Sequence, residues 1–167
     1  QENEDAAVSD YMFMLESHLS AAQSRVVADV QAVATEANVN LFLTGGAMRD
    51  MLGGFPIRDL DFTVEGQPQK LVKTLVKNYN VKLISSDEHR KSYELVFPNG
   101  VTAEVTMSRQ ERYPRPGARP QVSPATIHED LRGRDLTVNA IALSLNRASR
   151  GLLLDPNNGL GDMERKE

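Results

Sequence analysis

"LFLTGGAMRDMLGGFPIRDLDFTV", residues 41–64, holds a glycine pair, an arginine–aspartate pair and a D-x-D. "VNLFLTGG" predicts a short buried strand running into a glycine turn, and "AMRDML" a short helix ended by Gly53, Gly54 and Pro56. "RDLDFTVEG" alternates, with Leu60, Phe62 and Val64 on one face and Asp59, Asp61 and Thr63 on the other. This pattern predicts a half-buried strand with two carboxylates on its open face.

Side chains two apart on a strand point the same way, so Asp59 and Asp61 lie close enough to repel. A divalent cation relieves that repulsion, and Mg²⁺ takes oxygen ligands of this kind while leaving positions for substrate phosphates. An exposed strand with two solvated acids has the same pattern, so the D-x-D alone does not decide. "VTAEVTM" places Thr102, Glu104 and Thr106 on one face and Val101, Ala103 and Val105 on the other. If its strand neighbours that of Asp59 and Asp61, three carboxylates converge into a metal site; periodicity leaves the pairing open, and with it a plain solvated role for Glu104.

Gly45 and Gly46 follow a strand and precede a helix, where bare amides and the positive helix end can receive a phosphate. No Gly-Lys-Ser/Thr follows them, and the stretch is not a G-x-G-x-x-G turn; a purely structural tight turn reads the same. Arg49, four residues after Gly45, reaches back toward the same phosphates or pairs with Asp50 or another acid.

The rest of the chain sets limits. With 167 residues, 40% of them hydrophobic, it suits one domain with one core. A formal net charge of −4 argues against a surface coated in positive charge for non-specific nucleic-acid binding. There are no cysteines, which excludes disulfides, thiolate catalysis and Cys-ligated zinc. No apolar run approaches the roughly 18 residues of a membrane span, and no secretory leader opens the chain, so a cytoplasmic protein without membrane partners is expected. The first residue is Gln1, which suggests a trimmed or excised chain.

Helical spacing from Tyr11 to about Ala37 predicts one long helix, or two broken near Ser20 to Ser24. "QPQKLVKTLVKNYN" predicts an amphipathic helix opened by Pro68. "VKLISS", "SYELVF" and "VTAEVTM" predict strands, the last two joined through Pro98-Asn99-Gly100. Residues 109–126, with four prolines and no period, predict a long loop. "IHEDLRGRDLTVNAIALSLN" reads as a short helix, a turn and an apolar segment, and "GLLLDP" as a last strand. Between Arg109 and Arg150 eight arginines face four acids, a local positive excess suited to phosphate, although solvated ion pairs give the same count.

Together "LTGGAMRDMLGGFPIRDLDFTV", "AEVTMSRQERY", "PGARPQVSPATIHEDLRGRDLTVNAIAL" and "LLDPNNGLGDM" resemble the catalytic head domain of the tRNA nucleotidyltransferase and bacterial poly(A) polymerase family, the class II CCA-adding type. The resemblance implies an α+β, polymerase beta-like nucleotidyltransferase head. Its mixed, mainly antiparallel sheet has about five strands, with helices on one face and the carboxylates on the other. It implies untemplated transfer of CMP and AMP from CTP and ATP to an RNA 3′ end, with tRNA CCA addition the leading reading. Alternatives are poly(A) synthesis and a non-catalytic nucleotide- or RNA-binding module. By the same resemblance Asp59, Asp61 and Glu104 hold two Mg²⁺ ions, Gly45, Gly46 and Arg49 handle the triphosphate, and Arg109, Arg134, Asp135 and Asn139 line the nucleotide pocket.

The expected organisation is an N-terminal helical segment at 1–40, the catalytic head at 41–158 and the start of a neck helix at 159–167. Gly133 stands where the family commonly has a second arginine, and "SSDEHRKSYELVF" lacks the pattern usual before the hairpin. The family's base-reading neck motif and its RNA-holding body would lie beyond Glu167. The isolated piece is therefore expected to fold and to bind Mg²⁺ and nucleotide weakly, but to add nucleotides poorly or without base preference.

Overall fold

The computed structural model describes residues 11–134 and 137–161. Residues 11–18 (α1) are helical, and a second helix, α2 (Ala21–Glu36), follows. The break is a capping box: Ser20 Oγ accepts from the Gln23 amide at 3.1 Å, and Gln23 Oε1 accepts from the Ser20 amide at 2.8 Å. Those bonds satisfy donors that a continuous helix would have paired internally, which settles the stretch as two helices.

Then come β1 (Asn40–Leu43), α3 (Gly45–Leu52), β2 (Leu60–Glu65), α4 (Pro68–Asn78), β3 (Lys82–Asp87), β4 (Ser92–Val96) and β5 (Thr102–Met107). A two-stranded ribbon, β6 (Arg109–Arg112) and β7 (Gln121–Pro124), leads to α5 (Ile127–Arg132), a 3₁₀ turn (Thr137–Ala140), β8 (Ala142–Ser144) and β9 (Leu153–Leu154). The main sheet runs β3-β4-β5-β2-β1-β8-β9. Among these pairs β2 and β5 are parallel and the others antiparallel.

The fold is thus mixed α+β with a mainly antiparallel sheet, of seven strands rather than about five. β9 falls within "GLLLDP", read as a last strand, and the strand added at that edge is β8, three residues long and too short to show alternation. Residues 109–126 are not wholly loop, because β6 pairs with β7 from Arg109↔Pro124 to Arg112↔Gln121. Both strands of this ribbon are largely exposed, so no apolar period marked them. Their prolines fit the ribbon: Pro114 and Pro116 fall in its turn, and Pro120 and Pro124 flank or end β7.

The core lies between one sheet face and α2 with α4. Val26, Val30 and Val33 of α2 and Leu71 and Leu75 of α4 meet Leu41, Leu43, Phe62, Val64, Leu95 and Val105 of the sheet. On the reverse side of β1, Phe42 packs in a smaller cluster with Ile127 and Leu131 of α5 and Ala140. That second cluster places α5 beside the open face, where the carboxylates stand.

Candidate active site

Strand β2 begins at Leu60, so Asp59 sits just before it and Asp61 is its second residue. Parallel pairing aligns Asp61 with Glu104 of β5, and antiparallel pairing aligns Glu104 with Glu94 of β4. Inward neighbours Leu60, Phe62, Ala103 and Val105 are buried, which turns the acids to the open face. Asp59 Oδ1 accepts from Thr102 Oγ1 at 2.8 Å and Glu104 Oε1 from Thr106 Oγ1 at 3.0 Å.

Helix α3 starts against Asp61. Gly45 has φ +60°, and a Cβ added at Gly45 or at Gly46 would stand 3.2 Å from Asp61 Oδ2. Glycine at both positions lets the helix end close on the carboxylate, and the Ala47 amide donates to Asp61 Oδ2 at 3.3 Å. Burial is the main force raising the Asp61 pKa to about 6, aided by the charges of Glu104 and Asp59 and opposed by the Ala47 and Gly46 amides. A half-buried carboxylate with two like-charged neighbours favours a proton or a cation.

The adjacent residues of the Arg49-Asp50 pair do different things. Asp50 is 5% exposed and accepts from the Arg58 amide at 3.2 Å and from Arg58 Nη2 at 3.4 Å, which closes the turn delivering Asp59. Arg49 pairs with no described residue, and its Nη2 would lie 3.3 Å from a Cβ at Gly46. Gly45, Gly46, Arg49, Asp59, Asp61, Arg134 and Asn139 line one open cavity of 560 Å³, together with Asp50 and Arg58. Arg134 is fixed there by Asp130 Oδ1 at 2.9 Å from its Nε and by the Asn139 carbonyl at 3.1 Å from Nη1.

A second cavity of 330 Å³ holds Asp59, Asp61, Glu94 and Glu104, so the D-x-D stands between the two. Arg109 is outside both. It lines a 970 Å³ cavity between the ribbon and α5, which shares Arg134 with the first, and its Nε donates to Glu111 at 3.1 Å. Asp135 lies outside the described residues.

The donor set is oxygen-only and suits a hard cation such as Mg²⁺. Among the described residues no three His, Cys, Asp or Glu groups stand close enough to enclose one metal ion. Asp59 and Glu104 instead accept from Thr102 and Thr106. Two residues at the site were missed in the sequence. Arg58, beside the D-x-D, lacked a strand context, whereas Glu94 follows from the same alternation in "SYELV" that marked Glu104.

The model of the poly A polymerase head domain matches residues 41–167. The chain belongs to that family. An A-adding tRNA nucleotidyltransferase of Aquifex aeolicus (strain VF5) is 38% identical to this head-domain chain over 125 residues, 75% of this chain and 15% of the relative. A CC-adding tRNA nucleotidyltransferase of Deinococcus radiodurans is 38% identical over 130 residues, 78% of this chain and 34% of the relative. The solved apo form II of a CCA-adding enzyme superposes with a TM-score of 0.83 at 27% identity, covering 92% of this chain and 36% of that one. The head domain thus spans about a third or less of the length of these relatives.

Proposed function

We propose that this chain is the catalytic part of an enzyme that transfers CMP and AMP from CTP and ATP to the 3′ end of tRNA without a template, completing CCA in the cytoplasm. The observation that carries the reading is the in-register pair Asp61 and Glu104, with Asp59 and Asp61 at the wall of a cavity that also holds the α3 N-terminus and three arginines, Arg49, Arg58 and Arg134. Family membership and the similarity to A-adding and CC-adding relatives support the same chemistry.

Asp59, Asp61 and Glu104 would hold two Mg²⁺ ions, whose charge lowers the pKa of the attacking hydroxyl and stabilises the leaving oxygens. The reaction is an in-line displacement: the RNA 3′-oxygen bonds to the α-phosphorus, its proton leaves to solvent, and the bond to pyrophosphate breaks. Gly45 and Gly46 let the α3 N-terminus close on Asp61 and keep its positive end open to the triphosphate, and Arg49 and Arg134 balance charge moving onto pyrophosphate. Asn139 lines the same cavity, and Arg109, in the adjoining cavity that shares Arg134, would meet the sugar and phosphates from there; the resemblance assigns Asp135 to the same nucleotide. We take 41–158 as the catalytic unit, preceded by a helical segment at 1–40 that shares its core through α2 and followed from 159 by the start of a neck helix.

The test offers tRNAs ending before, within and after CCA, with CTP and ATP supplied separately. The reading expects addition to stop once CCA is complete. A long A tract would instead make the chain part of a poly(A) polymerase, and no incorporation into any of these tRNAs would contradict the reading.

A further inference from the structure

The segment "DEHR", residues 87–90, has no place in the reaction as read so far, yet it is tied to the ribbon from both sides. Asp87 Oδ1 accepts the amides of His89 and Arg90, each at 3.1 Å, and Asp87 Oδ2 pairs with Arg90 Nη1 at 3.3 Å. That turn fixes the Arg90 guanidinium by one edge. Its Nε donates to Glu111 Oε1 on β6 at 3.2 Å, and the same oxygen accepts from Arg109 Nε at 3.1 Å. His89 Nε2 stands 2.8 Å from the Pro120 carbonyl, just before β7.

From Arg109 the connection continues inward. Its amide donates to Asp130 Oδ2 at 2.9 Å, while Asp130 Oδ1 holds Arg134, which lines the cavity beside Asp59 and Asp61. One carboxylate, Glu111, is thus shared by an arginine on the ribbon and an arginine anchored on the sheet edge.

We infer that Arg90 is a positioning residue for nucleotide binding: it takes part of the hold of Glu111, leaving Arg109 free enough to meet a nucleoside triphosphate. The inference rests on the proposed nucleotide contact of Arg109. Counting the four side chains, Asp87 and Glu111 balance Arg90 and Arg109; without Arg90 the group carries a net negative charge, and Glu111 has only Arg109 to satisfy it. A triphosphate approaching Arg109 then competes with an undivided carboxylate. Burial pushes the Glu111 carboxyl up, but its bonds to Arg109 and Arg90 bring it below the ordinary value, so it is ionised and able to compete. Because Arg90 is held at one edge by Asp87 and offers Nε to Glu111 from another, a lysine reproduces its charge but not both contacts.

The experiment is ATP titration with Mg²⁺ by calorimetry on the natural protein that contains this chain, comparing wild type, Arg90→Ala, Arg90→Lys and each of those variants combined with Glu111→Gln. Arg90→Ala is expected to weaken ATP by roughly threefold to fivefold, the scale of a partly exposed charge pair. Arg90→Lys is expected to be intermediate. Adding Glu111→Gln restores affinity to within about twofold of wild type in either background, because the competitor is gone. A merely structural role for Arg90 gives no such rescue. Unchanged affinity in Arg90→Ala and Arg90→Lys, or weakened affinity that Glu111→Gln does not restore, overturns the inference; if Arg90→Ala fails to fold, the lysine pair decides. Absence of ATP binding by the wild type contradicts the proposed function and removes the premise of this inference with it, whereas normal wild-type binding with unaffected variants rejects this inference alone.

Discussion

Asp61 and Glu104 stand side by side because β2 and β5, distant in sequence, pair in parallel with these two residues in register. The arrangement places like charges together and leaves Asp61 half-buried against a helix end, a geometry that costs stability and suits a site for cations. Asp61→Asn is therefore expected to raise the melting temperature of the metal-free protein while lowering nucleotide incorporation by about a thousandfold. Thermal unfolding and incorporation measured on the same preparation check the two opposite signs together.

The pH dependence of that effect has a defined direction. The folded Asp61 pKa, about 6, is above the ordinary value of 3.8, so the folded state binds the proton more tightly. Its contribution to stability is complete below the unfolded pKa and is lost as pH rises through about 6. In the absence of divalent cations, the stability advantage of Asp61→Asn over wild type should grow between about pH 4 and pH 7. Chemical denaturation across that range tests it; an advantage that stays constant would mean Asp61 titrates normally.

Gly45 and Gly46 separate two effects of one contact. Both would bring a Cβ to 3.2 Å from Asp61 Oδ2, but Gly45 alone of the two has a left-handed φ. Gly45→Ala should cost about 1–2 kcal/mol in addition to displacing the carboxylate. Gly46→Ala should reduce incorporation with a smaller loss of stability. Equal destabilisation by both would show that backbone strain at Gly45 is unimportant.

Arg49 and Asp50 make a further contrast. Removing the Asp50 carboxylate leaves the Arg58 amide without its acceptor and loosens the turn before Asp59, a cost of about 1–3 kcal/mol. Removing the Arg49 side chain should leave stability within about 0.5 kcal/mol and weaken triphosphate binding. Denaturation midpoints for Asp50→Ala and Arg49→Ala, set against their ATP affinities, distinguish scaffold from ligand contact.

Much of this site was legible because alternation assigns faces. Leu60, Phe62 and Val64 had to go inward, so Asp61 had to face out, and the same logic applied to Glu104. That Asp61 and Glu104 share a row was not legible, since pairing between distant strands leaves no local trace. Glu94 carried the same signal in "SYELV" and went unused. The ribbon was hidden for a different reason: β6 and β7 bury neither face, so neither strand has the period that reveals a strand, and the Glu111 bonds to Arg90 and Arg109 were hidden with it. The closure of Asp50 on Arg58 spans a turn of irregular residues, where sequence spacing says little about which side chain reaches which amide.

The most direct measurement is incorporation of labelled CMP and AMP into tRNA ending before CCA, with and without Mg²⁺, by wild type, Asp59→Ala and Asp61→Ala, using the natural protein that contains this chain. The account predicts Mg²⁺-dependent incorporation by wild type and almost none by either variant, with both variants folded. Incorporation that persists in a folded Asp61→Ala protein, or that needs no divalent cation, would contradict it.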